Sequence, residues 1–481
     1  MIGAQLKRLV KHSAIYGLGG ILSRILAVLL LPLYTSYLGT VGFGKIETIV
    51  ALTTVLVIVL RLGISSAFFR FYFDSPDPER RTLVVRTSFW FTMTMATVGL
   101  VAGFVFATPL AHLLRLGDDP WLVRAAFVGL WAQMNYEQLT SLFRVEERSI
   151  AFVSASIANI LITVGMTVLL VVGLKKGPTG AVVGNFIGTL TVYVVLLAYR
   201  RYQLGLQFDR SLLRAMNKFG LPLVPSALAL WAINFIDRFF VALFKGQTEV
   251  GVYSVAVRTS SVIVFLMAAF RLAWPAFAYS IEDDSAAKRT YAYVLTYLLF
   301  VCCWVSLALG LLSPWIVRIL APSTPAFYRA SEAVALLAFA SAAYAGYTVL
   351  AIGIGRARRT QFNWIISGVA AAVNIALNLA LIPPYGMMGA AISTAAAYVV
   401  LFLGMMLNAQ RVWPVPYQWR RVVTLSAAAV GLVVVGKLLD VPLVVALLLS
   451  VAYPLVLVPF GFYLPAERLR LRRLVGIAWG R

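Results

Sequence analysis

Long apolar runs recur along nearly the whole chain, separated by short connectors that carry charge, glycine or proline. A helix needs about 20 predominantly apolar residues to cross a bilayer, and in lipid a run that long must satisfy its backbone polar groups internally. The composition agrees: of 481 residues 61% are hydrophobic and 12% charged, against about 25% charged in soluble domains. A soluble globular protein is excluded, and the function has to be sought inside the membrane.

The runs give fourteen candidate spans, at 13–38, 44–70, 83–107, 121–143, 150–173, 179–199, 219–244, 250–278, 290–312, 330–354, 361–382, 386–409, 422–439 and 442–463. Sorting Lys and Arg by alternate connectors puts 26 on the side that holds both termini and 9 on the other, with six arginines inside spans. By the positive-inside rule both termini are cytoplasmic. The net charge of +23 is therefore mainly a topology signal, with contact to anionic lipid as its ordinary consequence and no indication of nucleic-acid binding. Lys7, Arg8 and Lys11 precede an apolar run that is too long for a cleaved signal peptide, so that run reads as a retained first helix. Cys302 and Cys303 are adjacent, a spacing that rarely meets disulfide geometry.

Two landmarks recur at nearly one offset. Gly39 and Gly44 bracket the connector between spans 1 and 2, as Gly246 and Gly251 bracket that between spans 7 and 8, an offset of 207. Gly180-Ala before span 6 recurs as Gly389-Ala before span 12, an offset of 209. Spans 1–6 and 7–12 therefore read as parallel copies, the kind of repeat that in transporters places the substrate site between halves. The expected organisation is one six-helix copy over 1–205, a second over 206–411, and spans 13 and 14 with a basic tail over 412–481. Gly39 to Ile46 comes within one residue of a phosphate-binding loop but lacks the closing Ser or Thr, its repeat partner lacks the Lys, and no strand can precede it. It reads as a helix–helix turn.

Ionisable groups inside a bilayer are costly and face a cavity or a partner. Arg24, Arg61 and Arg258 lie deep in spans 1, 2 and 8, while Arg70 and Arg271 lie near span ends and can snorkel. Asp237 and Arg238 adjoin in span 7; neighbours in sequence do not pair on one helix face, so each is expected to reach another helix. Six arginines face only Glu47, Glu137 and Asp237, and an excess of buried positive charge calls for water or an anionic ligand. Gln133, Glu137, Thr140, Ser141 and Arg144 share a face of span 4, as do Ser156, Asn159, Thr163 and Thr167 in span 5 and Asn363, Ser367, Asn374 and Asn378 in span 11. These stripes suit either interhelical hydrogen bonds or a hydrophilic wall for sugar hydroxyls.

The only histidines, His12 and His112, sit near span ends, so neither a metal cluster nor a His-based catalytic dyad is visible. No nucleophile motif, ATP-binding motif or extramembrane catalytic domain is present in the sequence. The expectation is a transporter rather than an enzyme, with no cofactor.

The start Leu-Lys-Arg-Leu-Val-Lys-His-Ser before a Gly-rich first span, Tyr-Leu-Gly-Thr-Val-Gly-Phe-Gly after it, and Gly-Met-Met-Gly-Ala-Ala before span 12 resemble the Wzx-type oligosaccharide flippases of polysaccharide biosynthesis. These lie in the multidrug/oligosaccharidyl-lipid/polysaccharide exporter superfamily, which also holds the lipid II flippases. The resemblance implies an all-α integral membrane protein, with two pseudo-symmetric six-helix bundles around a central cavity and two extra C-terminal helices that could form a groove for a lipid tail. It implies export of polyprenyl-diphosphate-linked oligosaccharide across a bacterial or archaeal cytoplasmic membrane by alternating access, in concert with membrane lipids and polymerase or glycosyltransferase machinery. Lipid II flippases line their diphosphate cavity with arginines from spans 1, 2, 7 and 8, and Arg24, Arg61, Arg238 and Arg258 occupy those spans here. Asp237, Glu47 and Glu137 are the candidates for coupling to protons or sodium, and Asn159, Asn374 and Asn378 for glycan contact. The alternatives are lipid II transport and multidrug/cation antiport; an antiporter would be expected to have an acidic cavity and twelve spans.

Overall fold

The computed structural model describes residues 30–117, 120–356, 362–465 and Glu467. Among these residues every regular element is a helix. Ten helices are long and apolar enough to cross a membrane, or eleven if Gln247–Ser260 and Val262–Ala268, bent by 41° at their junction, count as one span. Most of span 1, including Arg24, lies outside the described residues. Trp121–Val145, which carries Gln133, Asn135, Glu137 and Gln138, is not among the ten, and Leu443–Val456 has only 14 residues. An all-helical membrane architecture is thus established, with fewer clear crossings than the fourteen expected.

By packing, the chain forms two compact units. One comprises residues up to Val255 with Ile319–Arg329 and Asn363–Ala397; the other comprises Ala256–Arg318, Ala330–Phe362 and the chain from Tyr398 onward. In the first, Phe68, Phe89, Phe143 and Tyr193 belong to one buried cluster, and Phe127, Leu130 and Met134 to another. In the second, the Tyr291 ring lies 5.0 Å from both Trp274 and Trp413, and Trp413 donates its indole N–H to Asp284. Cys302 and Cys303 are buried free thiols there.

The glycine landmarks have a common backbone cause. Gly39 adopts φ 62°, ψ −172° within Leu31–Arg61, and Gly246 adopts φ 84°, ψ 176° between Asp237–Lys245 and Gln247–Ser260. That conformation is essentially confined to glycine, so the same sharp turn recurs 207 residues on. Gly177 and Gly386, with φ of 59° and 55°, recur 209 residues apart at the starts of the next paired helices. The turns after Gly39 and Gly246 then cross one another. A Cβ on Gly44 would lie 1.9 Å from the Gln247 carbonyl oxygen, and one on Gly251 would lie 2.2 Å from that of Thr40. Each glycine meets the residue four places before the other, so the contact is reciprocal, as a local two-fold relation requires.

Span 2 departs from expectation at its C-terminal end. The run 44–70 is not one helix: Leu62 and Gly63 take left-handed conformations and Ile64–Phe73 starts a new helix. The reason lies on a distant segment. Gly220 closes against this break, where a Cβ on Gly63 would meet the Gly220 carbonyl oxygen at 2.3 Å. Helix Arg210–Gly220, which ends there, is capped by Asp209, whose carboxylate accepts from the Ser211 and Leu212 N–H groups. The hydrogen bonds from Ser211 and Leu212 hold that carboxyl below its ordinary pKa.

Candidate functional site

Span 7 carries the densest cluster of buried charge. Its helix widens to π geometry over Ala232–Ile236, a distortion that tends to occur at functional sites. Asn234 donates its amide to the Leu230 carbonyl at 2.6 Å, and Arg238 Nη1 donates to the Asn234 carbonyl at 2.8 Å. Just after this turn Arg238 also reaches its neighbour: Nη1 lies 3.2 Å from Asp237 Oδ1, which accepts the Arg238 backbone N–H as well. The expectation that these adjacent residues cannot pair is therefore corrected. Arg238 Nε also lies 3.4 Å from Glu47 Oε2 on span 2.

The rest of Asp237 is satisfied from other helices. Tyr253 donates its hydroxyl to Oδ2 at 2.5 Å, and Thr394 approaches the same oxygen at 3.4 Å. Side-chain exposure is 4% for Arg238, 4% for Glu47 and 2% for Asp237. One guanidinium held between two carboxylates in a dry site is a closed network of the kind that tolerates no missing member.

Arg61 sits differently. Its Nη1 lies 2.6 Å from Glu137 Oε2 on Trp121–Val145, and Nη2 donates to the Met134 carbonyl at 3.2 Å. Gln133 donates to the other Glu137 oxygen. The Arg61 side chain is 14% exposed and that of Glu137 35%. The expected face of span 4 is continued by Ser141, which donates to the Glu137 carbonyl, and by Arg144, which donates to Ser141. All three intramembrane acids are thus committed to Arg61 and Arg238. Arg258, half-buried on Gln247–Ser260, belongs to the second compact unit.

The asparagines divide. Asn159 Oδ1 accepts from Thr163 at 3.2 Å and from Thr189 of the next helix at 3.4 Å, an interhelical tie. Asn374 and Asn378 are fully buried; Asn378 donates to Asn374 Oδ1 at 3.0 Å, leaving Asn374 Nδ2 and Asn378 Oδ1 without a protein partner. Contact between these two and a glycan would require their helix face to be uncovered. No group of three or more His, Cys, Asp or Glu that could hold a metal occurs among the described residues.

Sequence reasoning missed Tyr253, Thr394 and Gln247. The last bridges the crossing of spans 2 and 8, accepting from Thr48 at 3.0 Å and donating to the Leu114 carbonyl at 2.7 Å. Glu249, two residues on, accepts the Met387 N–H at 3.2 Å and lies 3.5 Å from Arg329. Only the connector position of these residues, beside Gly246, could have signalled them.

The family model described as polysaccharide biosynthesis protein matches residues 9–280, more than half of the chain. The chain belongs to the polysaccharide biosynthesis protein family. A second family model, MatE, matches residues 222–380. The chain is 24% identical over 269 residues to the succinoglycan biosynthesis transport protein ExoT of Rhizobium meliloti (strain 1021), covering 55% of this chain and 52% of that one. It is also 24% identical over 276 residues to a membrane protein of Haemophilus influenzae, covering 55% of this chain and 63% of the relative. The match thus spans less than two thirds of either relative. The fold is similar to that of a lipid II flippase MurJ in an inward closed conformation, with a TM-score of 0.74 at 14% identity, covering 92% of this chain and 97% of that one. It is also similar to an inward-facing multidrug resistance MATE family transporter of the MOP superfamily, with a TM-score of 0.67 at 15% identity, covering 86% and 96%.

Proposed function

We propose that this chain carries polyprenyl-diphosphate-linked oligosaccharide from the cytoplasmic to the outer leaflet of the cell membrane, as the exporter of a cell-surface polysaccharide pathway. The observation that carries the reading is the state of Arg61: a guanidinium inside a membrane span, with one partly exposed carboxylate partner, can exchange that carboxylate for diphosphate oxygens. Arginine suits the task because its planar fork matches phosphate geometry and stays charged. Arg24, Arg238 and Arg258 complete the proposed diphosphate set. Asp237, Glu47 and Glu137 are the proposed coupling groups, since each carboxylate is held by an arginine that substrate or a cation would compete for. The glycan would pass Asn159, Asn374 and Asn378.

Transport by alternating access rests on the repeat: two copies, 1–205 and 206–411, rock against each other while 412–481 adds two helices and a basic tail. Both termini are placed in the cytoplasm by the charge count. The Gly44–Gly251 crossing, on the outer side in this topology, ties the copies together and would part for release. An outward-moving anion gains about 2.3 kcal/mol per charge per 100 mV of inside-negative potential, less whatever charge the arginines carry with it.

The fold likeness to MurJ also accommodates lipid II as substrate, and the MatE match accommodates cation antiport. Flipping of a fluorescent polyprenyl-diphosphate glycan in proteoliposomes separates these readings. The expected result is flipping by wild type and loss in Arg61→Gln and in the Arg24→Ala, Arg258→Ala double variant at unchanged expression. Preference for lipid II would redirect the reading to peptidoglycan, cation-driven dye efflux would favour the antiporter, and wild-type rates in both variants would remove the arginines from the substrate path.

A further inference from the structure

A second group of arginines gathers around the N-terminal end of helix Pro78–Val105. A cavity of about 430 Å³ opens there, with Arg81 and Arg86 in its wall together with Tyr72, Tyr202 and Glu146. Both arginines are held by one edge. Arg81 Nε donates to the Ser75 carbonyl at 2.9 Å, and its guanidinium lies 5.3 Å from the centre of the Tyr72 ring. Arg86 Nε donates to the Gln203 carbonyl at 3.1 Å, and Nη1 to Gln207 at 2.6 Å. The remaining Nη–H donors of both have no acceptor among the described residues.

The one carboxylate in the wall is already neutralised. Glu146 is gripped by both Nη atoms of Arg200, at 2.9 and 2.6 Å, and the Arg200 side chain is 3% exposed. The pocket therefore presents two uncompensated, pre-oriented guanidinium groups beside two tyrosine rings. Anchoring through Nε and ring stacking removes much of the ordering cost that a free surface arginine meets on binding, and leaves the fork edge for a tetrahedral oxyanion.

We propose that this pocket binds a phosphate group on the cytoplasmic face, separate from the proposed transport path. The phosphate is carried either by an anionic lipid of the cytoplasmic leaflet or by a soluble phosphate. Arg81 and Arg86 hold it, and the buried Arg200–Glu146 pair fixes the floor beneath them.

The test uses the purified full-length chain in phosphatidylcholine nanodiscs, titrated separately with inorganic phosphate and with short-chain phosphatidylglycerol. Saturable binding of either probe is expected, weakened roughly tenfold in Arg81→Gln, Arg86→Gln and unchanged in Arg289→Gln, which removes an exposed arginine that touches no residue of the pocket wall. Saturation by phosphatidylglycerol alone assigns a lipid headgroup; saturation by inorganic phosphate assigns a soluble ligand. If the double variant does not fold, Arg81→Gln alone carries the test, since its single backbone tie is to Ser75. Saturable binding by neither probe, or equal binding by wild type and the folded variant, overturns the proposal.

Discussion

Arg238 and Arg61 are both arginines inside membrane spans, both paired with glutamate, and they are held in different ways. Arg238 has two carboxylates, lies 4% exposed, and is tied to spans 2 and 7. Arg61 has one carboxylate, and that Glu137 is 35% exposed. A buried charge network is stable only while complete, whereas a partly solvated pair exchanges partners at small cost. The first site reads as a lock that has to open before Arg238 can join the proposed diphosphate set, and the second as a contact free to take up an anion. The sharpest test is to remove the same guanidinium from each.

In Arg238→Met two carboxylates are left in a dry site, and a loss of about 3–5 kcal/mol in stability is expected. Thermal unfolding in detergent would read it as a large drop in Tm or as failure to fold. The triple change Glu47→Gln, Asp237→Asn, Arg238→Met removes the charges together and should recover most of that loss. If the single variant is as stable as wild type, the lock is not a lock and the contrast with Arg61 collapses.

A milder break of the same network is Tyr253→Phe, which deletes the 2.5 Å hydrogen bond to Asp237 Oδ2 and leaves that oxygen with Thr394 at 3.4 Å. A hydrogen bond to a buried charged group contributes about 1.5–3 kcal/mol, so Tm should fall by less than in Arg238→Met. A Thr394→Val change in the same background should add little, because the longer contact is the weaker. A larger effect from Thr394 than from Tyr253 would reverse the assignment of which hydroxyl holds the carboxylate.

Much of this architecture was legible in the residues. The turns at Gly39 and Gly246 could be found because a positive-φ backbone leaves glycine as its mark, and two such marks at one offset expose a repeat. The close crossing of Gly44 with Gly251 was not legible, because a shared spacing says that two segments are alike and not that they touch. The break at Leu62–Gly63 was hidden, since one glycine in an apolar run does not end a helix; Gly220, 157 residues away, gives the break its seat. The charges were found but not their partners. Ideal helical geometry points Asp237 and Arg238 away from each other, yet the long guanidinium reaches back to Asp237 Oδ1 at 3.2 Å. Tyr253 and Thr394 carried no signal, because a hydroxyl in an apolar helix is ordinary until a carboxylate is found beside it.

The smallest expected effect on stability is also the one that most sharpens the contrast. Arg61→Met removes a guanidinium whose partner is partly exposed and already bonded to Gln133, so Glu137 is not stranded in a dry site. A stability change of about 1 kcal/mol or less is expected. Glycolipid flipping, in contrast, should fall severely if Arg61 is the group that takes the diphosphate. The two sites would then separate cleanly: loss of Arg238 shows first in Tm, and loss of Arg61 shows first in transport at near-normal Tm. A Glu137→Gln variant completes the comparison, because it frees Arg61 from its resident carboxylate and should strengthen binding of the diphosphate headgroup while slowing its release. If Arg61→Met instead unfolds the protein, the pair is a structural tie like that of Arg238, and the search for the substrate's first contact moves to Arg258.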